Sequence, residues 1–367
     1  MVDLLEYEGK RLFKKYGIPV PEFKVITKES DVPEFNERMV VKAQVPTGGR
    51  GKRGGVRVVN NREEAIKAIN EIKQINFDGY YSKAFILEKA YEVKKELYLS
   101  VTLDRSLELP IVLASPEGGV DINSVPQEKI YKKGINPFVG VTDYIKREVA
   151  KFLGLQGDLA NQVGQILNGL YRIYDEMDAS LAEINPLALT DQGLVALDSK
   201  VTIEDDALFR HKNIPVRYFG LDKIEVMAKK KGLSFVKLEG DIGIIANGAG
   251  LNMATIDLIA LAGGRPANFF DLGGTDDPQK VIQAIELASK VTNKVLFINI
   301  FGGVTRCDTV ANGVVEAIKR LKPKFKLVVR IRGANEEEGR RILLENGIES
   351  ILNLDEAVEK VVKLAGE

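Results

Sequence analysis

The chain has little of the chemistry on which many catalytic centres depend. It contains one histidine, His211, one cysteine, Cys307, and no tryptophan. A single histidine leaves one candidate for any Ser-His-Asp triad, and the polar sequence around His211 predicts a surface position. A lone cysteine excludes an intrachain disulfide and is typical of a reducing compartment, so we expect a cytoplasmic protein.

An excess of charge of either sign is also missing. Fifty-two basic residues balance 52 acidic residues in a chain of 367, so nucleic acid and membranes are not expected as partners. No apolar run approaches the length that crosses a bilayer, and residues 1–8 lack the apolar core of a secretory signal. The composition is typical of a globular protein, and the length predicts two or three domains.

What the chain does have, from residue 241 onward, is a regular alternation of predicted strands and helices. Five predicted strands are each followed by a predicted helix, and the strands lie at 242–246, 267–270, 294–300, 327–331 and near 348–352. This alternation predicts an open, doubly wound parallel sheet. Such sheets bind ligands at the carboxyl ends of their strands, so we expect the loops at Asn247, Gly273 and Gly303 to lie at the binding edge.

The segment 299–308 is the strongest candidate at that edge. It places two glycines and Arg306 between a buried strand and a helix, an arrangement that aims backbone N–H groups and the helix dipole at an anion. A plain strand-to-helix turn is the alternative, and Cys307 is a weaker candidate for a thiol nucleophile. A dinucleotide site at 248–250 is disfavoured, because Met253 stands where that motif needs a third glycine.

A basic, glycine-rich loop connects two predicted strands in the first half of the chain. The strand 39–45 leads into the loop 46–55, with Gly49-Arg50-Gly51 at its centre, and the strand 56–59 follows. Glycine lets the backbone close on phosphate oxygens and the basic side chains supply charge, although the spacing is not that of a P-loop. Lys42 lies inside the apolar strand, where a charge is costly without an anionic partner. A solvated hairpin with an edge-strand lysine is the alternative.

Acidic and amide side chains follow in two further places. Glu88 and Glu96 bracket the turn between two predicted strands, where they suit ribose hydroxyls, a metal or simply solvent. Farther along, a predicted hairpin folded about Gln192 brings Asp198 within a residue of Asn185. Carboxylate and amide oxygens are ligands that Mg²⁺ prefers. A structural hydrogen bond is the alternative there.

These blocks stand in one order along nearly the whole chain, and together they resemble the succinate–CoA ligase (succinyl-CoA synthetase) β-subunit family. They are residues 44–55, 95–98, 183–187, 197–198, 247–250 and 299–308. The resemblance implies an ATP-grasp nucleotide-binding domain at 1–235 and a flavodoxin-like CoA-ligase domain at 236–367. From its polar, lysine-rich sequence we interpret 201–240 as the connection between the domains. It also implies the reversible conversion of succinyl-CoA, phosphate and ADP (or GDP) into succinate, CoA and ATP (or GTP), a step of the tricarboxylic acid cycle.

The resemblance assigns roles to residues at matching positions. Nucleotide binding falls to Lys42, Gly49, Arg50, Gly51, Glu88, Tyr91 and Glu96. Mg²⁺ binding falls to Asn185 and Asp198, and carboxylic-acid binding falls to Asn247, Gly303, Val304 and Thr305. Pro46 and the pair Val304-Thr305 depart from the usual family pattern, at positions that affect nucleotide and acid preference.

No catalytic residue is expected in this chain. In the family, a histidine of the α subunit carries the phosphate, and that subunit also binds CoA. The resemblance therefore implies an obligate α partner, in an αβ or (αβ)2 assembly. Two alternatives remain at this point: a related CoA ligase for malate or acetate, and a nucleotide-binding regulatory subunit without catalysis.

Overall fold

The computed structural model describes all 367 residues, and the chain divides into two compact units, Met1–Arg217 and Tyr218–Glu367. The first unit contains eleven strands: β1 (Val2–Asp3), β2 (Phe23–Ile26), β3 (Met39–Ala43), β4 (Val56–Val59), β5 (Phe85–Lys89), β6 (Lys95–Asp104), β7 (Leu109–Ser115), β8 (Tyr131–Gly134), β9 (Ala179–Thr190), β10 (Gly193–Ala196) and β11 (Lys200–Ile203). Its four α-helices are α1 (Glu6–Lys15), α2 (Arg62–Ile72), α3 (Asp143–Leu153) and α4 (Asp158–Glu176).

Two antiparallel sheets organise the first unit. The smaller has the order β2-β5-β3-β4, and α2 packs against it through residues such as Ala65 and Ile69. The larger has the order β1-β11-β9-β6-β7-β8, with β10 also paired to β9. Helices α1, α3 and α4 cover the larger sheet and share its apolar core, to which Phe13, Val149 and Leu167 belong. The short connection between β5 and β6 passes from one sheet to the other.

The ends of these helices follow from their sequences. Helix α3 begins after Thr142, whose hydroxyl accepts a hydrogen bond from the Ile145 N–H, and ends at Gly154, whose φ of 73° suits glycine. Helix α2 begins after Asn61, whose side chain accepts from the Glu64 N–H.

The second unit alternates strands and helices. Its strands are β12 (Ser234–Lys237), β13 (Ile242–Ala246), β14 (Asn268–Asp271), β15 (Val295–Gly302) and β16 (Lys326–Gly333). Its helices are α5 (Lys223–Lys230), α6 (Ala249–Leu261), α7 (Pro278–Ala288), α8 (Cys307–Leu321), α9 (Glu336–Glu345) and α10 (Leu354–Gly366).

One sheet with the order β12-β14-β13-β15-β16 forms the centre of this unit. The last four strands are parallel, and their order is the flavodoxin-like one for the first four strands of such a sheet. Side chains alternate along β15: Val295 and Phe297 join a core with α6 and α10, whereas Leu296 and Ile298 join a core with α7 and α8. The doubly wound sheet predicted from the sequence is therefore confirmed.

Two details differ from the prediction. The strand predicted near 348–352 is only a single bridge, between Val329 and Ser350. A strand that was not predicted, β12, adds to the opposite edge by antiparallel pairing with β14. Because β12 and α5 pack in the second unit, the division at 217/218 falls earlier in the chain than the expected boundary at 235/236.

Candidate functional site

Six charged side chains from five segments of the first unit meet in one buried cluster. They are Glu6 and Lys10 of α1, Lys42 of β3, Arg50 of the glycine-rich loop, Glu88 of β5 and Asp198 of the β10–β11 connection. We call this set the charge cluster. Three cations face three carboxylates, so the cluster has no net formal charge at neutral pH. Four of the six were predicted as nucleotide or metal ligands.

Lys42 and Arg50 each contact two carboxylates. The Lys42 ammonium lies 2.7 Å from Glu88 Oε1 and 3.1 Å from Glu6 Oε1, and it donates to the Leu197 carbonyl at 2.6 Å. Arg50 Nη2 donates to both oxygens of Asp198, at 2.8 and 2.9 Å, and Nη1 lies 2.6 Å from Glu6 Oε2. The β3 lysine is thus paired inside the protein, and the alternative of a lysine facing water is excluded for this structure.

Burial makes this pairing strong. The side chains of Lys42 and Arg50 are only 12% and 11% exposed, and that of Glu6 is 1% exposed. Burial alone lowers the pKa of Lys42, but Glu6, Glu88 and Asp198 outweigh it and hold that pKa above its ordinary value. Burial likewise raises the pKa of Glu6, but Arg50, Lys10 and Lys42 outweigh it and hold that pKa well below 4.5. Lys42 and Glu6 are therefore both charged at neutral pH.

Glu6 and Lys10 are the members of the charge cluster that sequence reasoning missed. They lie one helical turn apart, with the Lys10 ammonium 2.8 Å from Glu6 Oε1, and Lys10 also contacts Glu88. The Lys10 side chain is fully buried. The available signal was their spacing: Glu6, Lys10 and Phe13 occupy positions i, i+4 and i+7, so the charges share the face of the helix that is buried by Phe13.

The glycine-rich loop turns back on itself beside this cluster. The Gly55 N–H donates to the Arg50 carbonyl at 2.8 Å, and Gly49 has a φ of +69°. A Cβ on Gly55 would lie 2.8 Å from the ring of Phe77, closer than real Cβ contacts come. Glycine is thus required at position 49 by the backbone conformation and at position 55 by the lack of space. Beside the Cα atoms of Gly48, Gly49 and Gly51 the space is open.

The two predicted Mg²⁺ ligands lie on paired segments of the same hairpin. The Leu197 N–H donates to the Pro186 carbonyl at 3.1 Å, so Asn185 and Asp198 flank one ladder bond. The Asn185 side chain accepts from the Gly119 N–H at 2.7 Å and donates to the Val120 carbonyl at 2.8 Å. Asp198, whose side chain is 36% exposed, accepts from Arg50. Both side chains offer oxygen atoms, the ligand type that suits Mg²⁺.

Glu183 lies on β9 two residues before Asn185. Its carboxylate accepts a hydrogen bond of 2.7 Å from the Tyr98 hydroxyl. Burial raises the pKa of Glu183, although the Tyr98 bond lowers it in part. Tyr91 and Glu96, the remaining predicted nucleotide ligands, lie around the β5–β6 connection, and no hydrogen bond or ion pair joins either to the charge cluster.

The candidate acid site lies at the carboxyl ends of β13 and β15. These neighbouring strands flank the point where the strand order reverses, which is the usual ligand position in such sheets. Asn247 joins the two strand ends: its Nδ2 donates to the Phe301 carbonyl at 2.9 Å, and its Oδ1 accepts from the Phe301 N–H at 2.8 Å. Gly303 and Val304 follow, and Val304 is 81% exposed.

Two side chains connect the loops at this edge. One Asp271 oxygen accepts from the Gly248 N–H at 2.6 Å and from the Gly273 N–H at 2.7 Å. The Thr305 hydroxyl is buried, accepts from the Thr275 N–H at 3.0 Å and donates to the Gly273 carbonyl at 3.3 Å. The three loops predicted to line this edge, at Asn247, Gly273 and Gly303, are therefore brought together.

Helix α8 begins directly after Arg306. Its first residue is Cys307, whose N–H donates to the Ala334 carbonyl at 2.9 Å. The Arg306 guanidinium pairs with Asp308 at 2.6 Å, so its charge already has a partner. Burial, with help from nearby carboxylates, raises the pKa of the Cys307 thiol to about 11. The weaker expectation of a thiol nucleophile therefore finds no support.

His211, the only histidine, lies outside both candidate sites. Its side chain is 12% exposed and its Nε2 lies 2.6 Å from Asp178 Oδ2. Asp178 also pairs with Arg210. The ring therefore lies partly exposed at the surface, where its pairing with Asp178 covers most of it.

Comparison with known proteins assigns the two halves to known domain families. Residues 3–189 match the ATP-grasp domain, and residues 245–364 match the CoA-ligase domain. The chain has the fold of the ATP citrate lyase from Methanothrix soehngenii, with a TM-score of 0.80, 20% sequence identity and 99% of each chain covered. Fold and domain order thus define the class: an ATP-grasp domain followed by a CoA-ligase domain.

Sequence relatives narrow this class to one family. The chain is 44% identical over 373 residues to a protein of Ignicoccus hospitalis named succinate–CoA ligase [ADP-forming] subunit beta, covering 99% of both. Proteins of the same name from Aquifex aeolicus and Geobacter sulfurreducens are 42% and 39% identical, over 99% and 100% of both chains. The chain belongs to the family of succinate–CoA ligase β subunits. No helix in it is both long and apolar enough to cross a membrane.

Proposed function

We propose that this chain is the nucleotide-binding β subunit of an ADP-forming succinate–CoA ligase. In the proposed reaction, succinyl-CoA, phosphate and ADP are converted reversibly into succinate, CoA and ATP. The observation that carries the proposal is the charge cluster, in which Lys42 and Arg50 meet Asp198. Asp198 follows Arg50 by 148 residues in the sequence, so the fold brings it to the two cations, and cations beside a carboxylate are what Mg²⁺-dependent phosphoryl transfer requires.

The nucleotide would bind across the charge cluster and the glycine-rich loop. Lys42 and Arg50 would contact its phosphates, and Gly49 and Gly51 would let the loop backbone approach them, since neither has a neighbour beside its Cα atom. Glu88, Tyr91 and Glu96 would contact the rest of the nucleotide. The sharing of Lys42 and Arg50 between carboxylates supports this role, because phosphate oxygens can replace one anionic partner without leaving the cations unpaired.

Asn185 and Asp198 would hold Mg²⁺. The two residues fit this cation because the Asn185 amide and the Asp198 carboxylate both offer oxygen atoms, and they flank one ladder bond of the hairpin. The structure has no group of three or more His, Cys, Asp or Glu side chains placed to hold a metal, so the protein would supply only part of the coordination shell. Bound there, Mg²⁺ would neutralise phosphate charge and orient the nucleotide.

The second unit would receive the carboxylic acid at Asn247, Gly303, Val304 and Thr305. We propose that an α subunit completes this site, binds CoA and carries the phosphate on a histidine. Since the two candidate sites lie in different units of this chain, that histidine would visit both. The only histidine of this chain pairs with Asp178 outside both sites, which supports a carrier on the partner. We propose a cytoplasmic location.

The test is a phosphoryl-transfer assay with both subunits. The full chain and its α partner are mixed with Mg²⁺ and γ-labelled ATP, and acid-labile label is sought on the α chain. Label that succinate plus CoA discharges is the expected result. No label, with ATP still bound, would contradict the proposal and favour a regulatory subunit. Discharge by malate or acetate in place of succinate would identify a related CoA ligase.

A further inference from the structure

We infer that Glu6 is a positioning residue for the nucleotide site. Its buried carboxylate fixes the side chains of Lys42 and Arg50 before the nucleotide arrives. The inference rests on the proposed function, in which these two cations contact phosphates. It adds helix α1, which contributes no predicted ligand, to the machinery of the site.

The contacts of Glu6 support a role beyond charge balance. Oε1 lies 3.1 Å from the Lys42 ammonium and Oε2 lies 2.6 Å from Arg50 Nη1. Glu6 is the one carboxylate in the cluster that contacts both cations, since Glu88 contacts Lys42 and Asp198 contacts Arg50. It therefore determines the position of each cation relative to the other.

Helix α1 is itself held firmly, so the Glu6 carboxylate is a fixed reference point. The Ser199 hydroxyl donates to the Glu6 carbonyl at 2.8 Å. A Cβ on Gly9 would lie 2.5 Å from that hydroxyl oxygen, so only glycine lets the helix lie this close to the β10–β11 connection. Phe13 anchors the same helix in the core with no exposed surface. Glu6 thus ties the two cations to the segment that carries Asp198.

Fixing these side chains in advance favours binding. Lysine and arginine have many rotamers, and ordering such a side chain during binding opposes association. Because the charge cluster orders both side chains on folding, the nucleotide would meet cations already in place. Lys10 complements this arrangement, since its ammonium contacts the carboxylates of both Glu6 and Glu88.

The principal test is Glu6→Gln, measured in the complex of the full chain with its α subunit. We expect the KM for ADP and the Kd of Mg²⁺·ADP to rise on the order of tenfold, whereas kcat and the KM for succinyl-CoA change little. A purely structural role predicts a different result: lower thermal stability and less active enzyme, with an unchanged KM for ADP. The split between KM and kcat therefore separates the two roles.

A second variant keeps the test decisive where Glu6→Gln alone fails to fold. Glu6→Gln combined with Lys10→Met removes one charge of each sign, so the buried cluster stays neutral. Lys42 and Arg50 keep Glu88 and Asp198 as partners. We expect this double variant to fold and still to show the raised KM for ADP.

Glu8→Gln is the matched control. Glu8 lies on the same helix, and its carboxylate pairs with Arg217 at 2.6 Å and accepts from the Leu5 N–H at 2.9 Å, away from the charge cluster. We expect its KM for ADP to match that of the unmodified protein. An equal rise in this control, or unchanged nucleotide affinity in both Glu6 variants, would overturn the inference and leave the proposed function standing. Failure of the unmodified complex to bind Mg²⁺·ADP would overturn both.

Discussion

Replacing Gly9 by alanine tests how closely helix α1 must lie against the β10–β11 connection. The added methyl group would lie 2.5 Å from the Ser199 hydroxyl oxygen and 3.1 Å from its Cβ. Either the hydroxyl rotates and loses its bond to the Glu6 carbonyl, at a cost of about 1 kcal/mol, or the helix moves, at a cost of about 1–3 kcal/mol. Alanine in a helix gains about 1 kcal/mol over glycine. We expect a net loss of about 0–2 kcal/mol.

The clash itself is isolated by a double-mutant cycle with Ser199→Ala. Removing the hydroxyl leaves the 3.1 Å approach to Cβ as the nearest contact, so Gly9→Ala should then be neutral or stabilising. We expect a coupling of about 1–2 kcal/mol between positions 9 and 199. The assay is calorimetric unfolding of the full chain, in which a loss of 1 kcal/mol lowers the Tm by about 2–4 °C for a unit of this size. Equal shifts for Gly9→Ala in both backgrounds would refute the reasoning.

Three further predictions concern single groups. Because burial raises the pKa of the Cys307 thiol to about 11, iodoacetamide at pH 7.5 should leave the folded chain unmodified by mass spectrometry, and rapid labelling without denaturant would contradict this. Burial raises the pKa of Glu183, so ionisation of this carboxyl lowers the stability of the fold as pH rises from the unfolded pKa through the folded pKa. Glu183→Gln should therefore raise the Tm at pH 8 but not at pH 4, which lies below the unfolded pKa. Equal effects on the Tm at both pH values would contradict this prediction. Asp198→Asn removes the negative charge that pairs with Arg50 and would bind Mg²⁺. Titration calorimetry should then show Mg²⁺·ADP binding weakened on the order of tenfold, and an unchanged affinity would show that Asp198 is not a metal ligand.

The sequence predicted the second unit well, because its strands are continuous apolar runs and its turns carry glycine. The exceptions are at the sheet edges. Strand β12 has only two apolar residues, and its Phe235 is held by edge-to-face packing on Phe270, with ring centres 5.4 Å apart. The segment 348–352 has an apolar pattern, yet it pairs through one residue only. Tertiary contacts decide both edges, and a local pattern cannot supply them.

The candidate site was predictable where a residue type is unusual in its local setting. A lysine in an apolar strand marked Lys42, and a basic glycine loop marked Arg50. Glu6 and Lys10 are not unusual in their local sequence, because charged residues are common on helices. The burial of these two side chains depends on strands that come much later in the chain.

The single oxygen of Asp271 that accepts from both Gly248 and Gly273 has a consequence for local motion. Neither loop can open without disturbing the bond that holds the other, and Asn247 extends this linkage to Phe301 on a third strand end. The backbone amides of these segments should therefore exchange with solvent deuterium as one cooperative unit with a shared opening free energy. We therefore expect the loops at the acid-binding edge of the sheet to open together or not at all, before any ligand binds.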